Sequence, residues 1–388
     1  MTARVLHLLD SFRQGGSESQ ALKLACGMEA AGRFEVVIAC LDRSGPLLDR
    51  LTPEARSQVA EFKLDRFYDL NMLRQTVAFA KLLNRLKIQV IHTHDFYTNI
   101  FGMAGAALAG VPVRIASRRE ASKRAPIKRF AERQAYRLAS AVVANCDRVH
   151  AELVFEGVNP DKVVTVHNGV QIPNSCDPAC AADFDEGVRR TVCIVANLRP
   201  VKDHATLLRA ARRVLEECPQ TLFVLAGEGG LEDGLRKYAA DLGISASVQF
   251  LGRCESVPSL LERSGVCVLS SQSEGFPNVV LEYMAAGRPV VSTRVGGVAE
   301  AITDSYNGFL VEPGDDSKMA GRIVTLLRNT DLAVQMGARS HAIAVERFSA
   351  DAQRLRVEAL YHRLLAGLPA RSDAMGAAAD PRVTSGSP

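Results

Sequence analysis

Val266-Cys267-Val268-Leu269-Ser270, followed by Ser273-Glu274-Gly275-Phe276-Pro277-Asn278-Val279-Val280-Leu281-Glu282-Tyr283-Met284-Ala285-Ala286-Gly287, reads as a buried strand, a tight turn and a helix. The first run is short and wholly apolar, which suits a strand covered on both faces. In the turn, Gly275 permits close backbone approach and Pro277 suits the first turn of a helix, where its missing N–H is no loss. The helix that starts beside Glu274 offers free N–H groups and a positive dipole end at the carboxyl edge of a sheet, which makes an anion site. Glu274 and Glu282 are eight residues apart, or ~12 Å along a helix. They cannot act on one atom as a carboxylate dyad and instead touch different parts of an elongated ligand. Carboxylates repel an anion, so hydroxyl groups are their partners.

The same strand-then-helix unit repeats outward in both directions. Thr191–Asn197, Leu222–Gly227, Val248–Gly252, Pro289–Thr293 and Gly308–Val311 are further apolar runs separated by helical segments. Earlier in the chain come Arg4–Leu9, a helix from about Ser17, Phe34–Leu41, a helix near Leu73–Leu86, Gln89–His94, Ala141–Ala144 and Val163–His167. This alternation predicts α/β architecture: two Rossmann-like, doubly wound domains with ligands at the carboxyl ends of parallel strands. Between them Ile172–Gly187 turns polar, with two Pro, two Cys and three Asp. The expected division is 1–172 for the N-terminal domain, 173–190 for a linker and 191–347 for the C-terminal domain. An amphipathic helix at 348–366 precedes an Ala/Gly/Ser/Pro tail, 367–388, too poor in apolar residues to pack and expected to be disordered.

Size and composition agree with two domains. The chain has 388 residues, 47% hydrophobic and 23% charged, an ordinary globular composition above the length at which one core stops growing. Met1–Asp10 has neither the basic region nor the small-residue cleavage site of a leader and reads as a buried first strand. No run approaches the ~18 apolar residues of a spanning helix, so membrane contact is expected to be peripheral. Nine cysteines, an odd number lying mostly in apolar segments such as those of Cys26, Cys40, Cys193 and Cys267, indicate reduced thiols and a cytoplasmic protein.

Metal and dinucleotide sites are not expected. Cys176 and Cys180 are a close pair with no second pair or nearby histidine, and Asp183-Phe184-Asp185 lies in the polar linker instead of at a strand end. His92 and His94 face one side of a strand, but no third ligand is apparent, and they read as strand-end packing with His94 lining the cleft. Gly227-Glu228-Gly229-Gly230 has the wrong spacing for a dinucleotide fingerprint, and the next strand ends in Gly252 without an acidic ribose ligand.

A second signal is Ala196-Asn197-Leu198-Arg199-Pro200-Val201-Lys202-Asp203-His204, which closes a strand and leads into a helix. Arg199 and Lys202 there can offset the charge building on a departing nucleotide diphosphate, which removes the need for a divalent ion. The alternative is a solvated loop. A weaker signal is Gly15-Gly16-Ser17-Glu18, whose glycines allow a ligand near the first strand or simply make a turn.

From Arg4 to about Leu365 these elements resemble the retaining glycosyltransferases of family four, with the GT-B fold. The Glu274/Glu282 element, the Arg199/Lys202 pair, Gly227-Glu228-Gly229, Phe250-Leu251-Gly252-Arg253 and Gly296-Gly297 carry the resemblance in order and spacing. In the N-terminal half Val90-Ile91-His92-Thr93-His94 and Gly110-Val111-Pro112 are similar to the family pattern. The resemblance implies two facing domains with a ligand cleft between them and a C-terminal helix packed back on the first. It implies that Arg199 and Lys202 bind the diphosphate, Glu274 holds donor-sugar hydroxyls, Glu282 holds the ribose and Gly16 backs the pyrophosphate. The segment Gly252, Arg253 to Val257 would frame the base, and Gly275, Phe276, Pro277 and Asn278 would complete the nucleotide-sugar site. Arg199, Lys202 and Glu274 are the implied catalytic residues.

One departure stands out. Many family members carry a histidine a few residues after that proline, near the transferred sugar, whereas this chain reads Arg114-Ile115-Ala116-Ser117-Arg118-Arg119-Glu120. Arg118 or Arg119 can donate a hydrogen bond there but cannot act as a base. Retaining transfer on this fold is expected to use the departing phosphate oxygen to take the acceptor's proton, leaving positioning and electrostatics to the protein.

From Arg114 to Arg137 nine Lys/Arg stand against two Glu, and Arg129, Arg133 and Arg137 recur at helical spacing beside Ile127, Phe130, Ala131 and Leu138. This basic amphipathic helix suits an anionic membrane face and a lipid-linked acceptor, with a solvated charged face as the alternative. No aromatic platform or motif for nucleic acid accompanies it. The expected activity is hexosyl or N-acetylhexosaminyl transfer from a nucleotide-diphosphate sugar, UDP- or GDP-linked, to a saccharide or lipid-linked acceptor in surface polysaccharide or glycolipid assembly, with no further cofactor. The alternatives are a nucleotide-sugar epimerase or hydrolase on the same fold, or a non-catalytic, membrane-docked sugar-nucleotide-binding subunit.

Overall fold

A computed structural model describes residues 2–64, 69–120, 125–173, 190–254 and 256–368. Most of the linker, with Cys176, Cys180 and the Asp183-Phe184-Asp185 segment, and the tail from 369 lie outside the described residues.

The N-terminal half folds as β1 (Arg4–Ser11), α1 (Gly16–Ala31), β2 (Glu35–Asp42), α2 (Pro53–Gln58), β3 (Ala60–Glu61), α3 (Leu70–Arg85), β4 (Val90–Thr93), α4 (Phe96–Leu108), β5 (Val113–Arg118), α5 (Pro126–Leu138), β6 (Ala141–Ala144), α6 (Asp147–Phe155) and β7 (Val163–Thr165). The strands form one parallel sheet in the order β3-β2-β1-β4-β5-β6-β7. Order reverses between β1 and β4, so the carboxyl ends of those two strands flank a crevice. All of β4 and β6 is buried, which explains why these strands read as continuous apolar runs rather than alternating ones.

The C-terminal half supplies β8 (Thr191–Val195), β9 (Leu222–Ala226), β10 (Val248–Gly252), β11 (Val266–Leu269), β12 (Val290–Thr293) and β13 (Phe309–Val311), again parallel, in the order β10-β9-β8-β11-β12-β13. Here the reversal falls between β8 and β11. The two signals singled out in the sequence, Arg199/Lys202 after β8 and Glu274 after β11, are the two loops at that switch point. The architecture is therefore two facing doubly wound α/β domains.

At the end of the chain, Val170 N–H donates to Phe348 O and Ala350 N–H donates to Val170 O, both at 2.8 Å, where the backbone crosses back to the first domain. The helix Ala350–Ala366 then packs against α1. Its Val357, Leu360 and Tyr361 join a core with Val5, Val90, Val113 and Ile115.

Candidate active site

Gly275 brings the domains together. A Cβ placed there would lie 2.3 Å from Arg119 O, so only glycine lets the loop after β11 rest against the loop after β5. Gly296 performs the same service within the C-terminal domain, with φ +54 and a Cβ position 2.3 Å from Glu274 O. Gly297 N–H in turn donates to Gly275 O at 2.7 Å, which ties the loop after β12 to the same turn. Glu274 is thus held on a turn clamped from both sides.

Its carboxylate meets Lys202. Lys202 Nζ lies 2.5 Å from Glu274 Oε1, and Ser271 Oγ donates to the same oxygen at 2.6 Å. The sequence presented these residues as separate diphosphate and sugar ligands, and the structure joins them as an ion pair. Arg199 stands exposed beside them, with no ion pair among the described residues. The helix Asn278–Ala285 begins immediately after the turn, with Pro277 in extended conformation at its N-cap. Pro277 therefore precedes the helix instead of lying in its first turn, a one-residue difference that leaves the free N–H groups in place.

Asn278 bridges the cleft. Its Nδ2 donates to Gly16 O at 3.2 Å, and its Oδ1 accepts from Asn168 Nδ2 at 2.8 Å. The Gly15-Gly16 turn therefore does face the C-terminal domain. Arg253 reaches across too, donating to Gln14 Oε1 at 3.0 Å, beside Gly252 at φ +62 and ahead of the short helix Val257–Glu262. Glu282 is largely buried, which raises its pKa against the opposing pull of Lys23 on α1. Phe276 is 4% exposed, and its ring packs 5.0 Å from His167 and 5.5 Å from Phe348. Its side chain belongs to the apolar seam between the domains, which leaves its backbone for the site.

On the opposite wall the two arginines separate. Arg118 is buried and bound to Glu156, Nη1 to Oε2 at 2.5 Å and Nη2 to Oε1 at 3.2 Å, a bidentate pair that commits its guanidinium to the end of α6. Arg119 points inward, with Nη1 donating to Asn168 Oδ1 at 2.8 Å and Nη2 to His94 Nδ1 at 3.3 Å. Burial lowers its pKa to about 10, opposed by the charges of Asp95 and Glu18. Of the candidates for the missing histidine's place, Arg119 is thus the one aimed at the crevice.

Behind it lies a group that the sequence did not reveal. His7, on β1, is in register with His92 on β4. With His94 they place one nitrogen each within 4.8 Å of one another, so the third histidine is present after all. Its position could be found only from strand register. Because a guanidinium only donates, His94 Nδ1 must accept from Arg119, and His94 Nε2–H then donates to His7 Nδ1 at 2.9 Å. His92 bonds Tyr361 Oη at 2.6 Å and Ser117 Oγ at 2.7 Å. Burial holds His7 down to about 3 and His92 and His94 well below the usual range, so all three are neutral. His7 Nε2 is buried without a hydrogen-bond partner among the described residues. The other five ring nitrogens are engaged and, with the Arg119 cation beside them, form a hydrogen-bond chain behind Arg119. Also absent from the sequence reading are Asn168, which ties Arg119 to Asn278, and Glu300, which accepts from Asp147 N–H and lies 2.7 Å from His167 Nε2 across the seam.

Comparison with known proteins bears on this geometry. The glycosyl transferase 4-like domain matches residues 15–169 and the glycosyl transferases group 1 model matches residues 184–342. The chain belongs to the family-four type of glycosyltransferases. It is 28% identical over 321 residues to the UDP-Gal:alpha-D-GlcNAc-diphosphoundecaprenol alpha-1,3-galactosyltransferase of Escherichia coli, covering 77% of this chain and 81% of that one. It is 31% identical over 285 residues to the D-inositol 3-phosphate glycosyltransferase of Streptomyces scabiei, covering 66% of this chain and 64% of that one. Among solved structures, Anabaena Alr3699/HepE in complex with UDP superposes with a TM-score of 0.79 at 21% identity, over 93% of this chain and 100% of that one. That likeness establishes the GT-B fold. No helix among the described residues is long and apolar enough to cross a membrane.

Proposed function

We propose that this glycosyltransferase is a retaining, metal-independent enzyme that moves a hexosyl or N-acetylhexosaminyl group from a UDP- or GDP-sugar to a saccharide or lipid-linked acceptor, in surface polysaccharide or glycolipid assembly at the cytoplasmic face of a membrane. The observation that carries this reading is the Lys202–Glu274 pair at the switch point, ahead of the Asn278–Ala285 helix and opposite Gly16. A diphosphate entering there draws Lys202 and Arg199 as counter-charges and leaves Glu274 to accept from sugar hydroxyls. UDP as the nucleotude carrier agrees with the UDP bound to HepE and with the donor in the Escherichia coli relative's name.

In the proposed reaction the bond from the anomeric carbon to the phosphate oxygen breaks as the acceptor oxygen bonds to the same face of that carbon. The acceptor proton passes to the departing phosphate oxygen. Arg119 needs only to donate, which fits a guanidinium held by Asn168 and His94. The lipid-linked alternative among acceptors agrees with the diphosphoundecaprenol in the Escherichia coli relative's name and with the cations of the Arg114–Arg137 segment.

Thermal unfolding with UDP, GDP, ADP and their sugar conjugates tests the donor site, since a ligand at ~100 times its Kd adds ~2.7 kcal/mol. A base-selective stabilisation lost in Lys202→Ala, followed by sugar transfer with retained anomeric configuration, is the expected result. Donor cleavage that requires no acceptor, or no stabilisation by any nucleotide, would overturn it.

A further inference from the structure

Two helices of the N-terminal domain, α3 and α5, expose apolar side chains besides those that they bury, and α4 packs against both of them. Leu70 and Leu73 on α3 are 79% and 64% exposed, and Ile127 and Phe130 on α5 are 72% and 65% exposed. On α3 the buried side is Phe79, Ala80 and Leu83, so Leu70, Leu73 and Val77, at i, i+3 and i+7, form a separate outer ridge. On α5 the buried side is Glu132, Ala135 and Tyr136, and Ile127, Phe130 and Leu138 lie on another face. Folding accounts for the inner faces and does not account for these.

Between the ridges runs a groove of 910 Å³ lined by Leu70, Met72, Leu73, Ile100 and Ala131 together with Asp69 and Asn71. Every one of these residues belongs to the start of α3 or to the first two turns of α3, α4 or α5. Helices that follow or precede strands of a parallel sheet in this way begin at its carboxyl edge, so the groove opens on the rim where Arg119 and His94 face the cleft.

Charge completes the pattern. The three helices carry seven Lys and Arg against one carboxylate, Glu132, which is buried and accepts from Tyr136 Oη at 2.7 Å. The whole chain, by contrast, is nearly balanced, with 47 cations and 43 anions. Lys128 bridges α5 to α4, its Nζ 5.8 Å from the Phe96 ring centre. The basic segment also resolves into two parts. Arg114 and Arg118 are tied to the protein interior, through Leu138 O, Val111 O and Glu156, whereas Lys128, Arg129, Arg133 and Arg137 lie on the exposed side of α5.

We infer that the groove and its two apolar ridges dock onto an anionic lipid leaflet, with hydrocarbon in the groove and lipid phosphates against the α3 and α5 cations, so that a lipid-linked acceptor in that leaflet enters the cleft at the Arg119 rim. The pairing of an apolar ridge with flanking cations selects this occupant, the one acid in the groove lining, Asp69, being engaged as the α3 cap through Met72 N–H. An apolar protein surface would leave the cations unmatched, and a polyanion such as nucleic acid would leave the leucines in water. The acceptor half of this inference rests on the transferase reading above, and the docking half does not.

The chain contains no tryptophan, so Phe130→Trp places a single indole on the ridge. Vesicles of phosphatidylglycerol mixed with phosphatidylcholine are expected to shift its emission to the blue, and acyl-chain-brominated lipid to quench it. Pure phosphatidylcholine is expected to do neither. In the same background Leu70→Glu with Leu73→Glu is expected to weaken vesicle partitioning roughly tenfold or more, with UDP-induced thermal stabilisation unchanged as proof of folding. Equal responses to neutral and anionic vesicles, an indole indifferent to both, or undiminished binding by the α3 double variant would each overturn the inference. Vesicle binding in a protein that fails to transfer sugar would defeat the proposed function alone. Transfer to a soluble saccharide without vesicle binding would defeat the docking surface alone.

Discussion

Lys202 Nζ and Glu274 Oε1 lie 2.5 Å apart, joining the loop after β8 to the loop after β11 across the switch point of the C-terminal sheet. Each charge neutralises the other. With a diphosphate bound, Lys202 gains a stronger anionic partner and Glu274 turns to sugar hydroxyls. Removing Lys202 alone leaves a carboxylate facing the diphosphate. Lys202→Met is therefore expected to weaken nucleotide binding more than the double variant Lys202→Met with Glu274→Gln does. Calorimetric titration with UDP and GDP checks this, and equal losses in the single and double variants would show the pair to be uncoupled. Glu274→Gln alone is expected to bind nucleotide but to lose roughly 100-fold in kcat, the scale of one removed electrostatic contact.

Gly296 and Gly314 offer a controlled comparison, because both have positive φ, +54 and +82, but only the first is crowded. A methyl at Gly314 meets nothing within 4 Å, whereas one at Gly296 falls 2.3 Å from Glu274 O and 2.4 Å from Gly275 O. Gly314→Ala should cost about 1 kcal/mol of backbone strain with nucleotide affinity intact. Gly296→Ala should cost more and also displace the Glu274 turn, lowering nucleotide affinity. Chemical denaturation and nucleotide titration of both variants read the difference.

The doubly wound α/β fold and the two loops at the C-terminal switch point were legible because they follow from local pattern. A short apolar run ending in Gly and Pro, or in Arg and Lys, marks a strand end whatever surrounds it. The Lys202–Glu274 pair was not legible, since 72 residues separate the partners and only the strand order brings β8 beside β11. His7 was hidden for the same reason: it sits in an ordinary apolar strand, and only the β1–β4 register sets it beside His92. The packing of the Phe276 ring into the seam was not legible either, because His167 and Phe348, its partners there, are distant in sequence. Arg118 and Arg119 were indistinguishable as neighbours until Glu156 claimed the first.

Tyr361 connects the returning helix to the histidine chain through its hydroxyl, 2.6 Å from His92 Nδ1. Both side chains are buried, so Tyr361→Phe leaves an imidazole nitrogen without a partner. A loss of ~1–3 kcal/mol follows, the desolvation cost of an unmet polar group. Because His92 lies behind His94 and Arg119 rather than in the donor site, nucleotide affinity should be unchanged. Denaturation midpoints and UDP titrations together distinguish this from a general collapse of the fold.

Acid sensitivity follows from the buried histidines, and the sign can be worked out. His7 is held down to about 3 from 6.5, first by burial and then by the charge of Arg119. Between those values the unfolded chain takes up a proton that the folded chain refuses, so stability falls as the pH drops below 6.5. From about pH 7 to about pH 5 this amounts to ~2 kcal/mol for His7, and His92 and His94 act in the same direction. Asp10 opposes them. Burial first, and then Asp95, raises it to about 6 from 3.8, so the folded chain holds its proton more tightly and gains stability on acidification. That gain is about 1 kcal/mol over the same interval. Wild-type protein is therefore expected to lose stability on going from about pH 7 to about pH 5, and Asp10→Asn to be more stable at the upper pH and to decline more steeply. Denaturant titrations at the two pH values measure both slopes. A flat wild-type profile would mean that the three histidines are not held neutral, and a shallower decline in Asp10→Asn would mean that Asp10 is already ionised without cost.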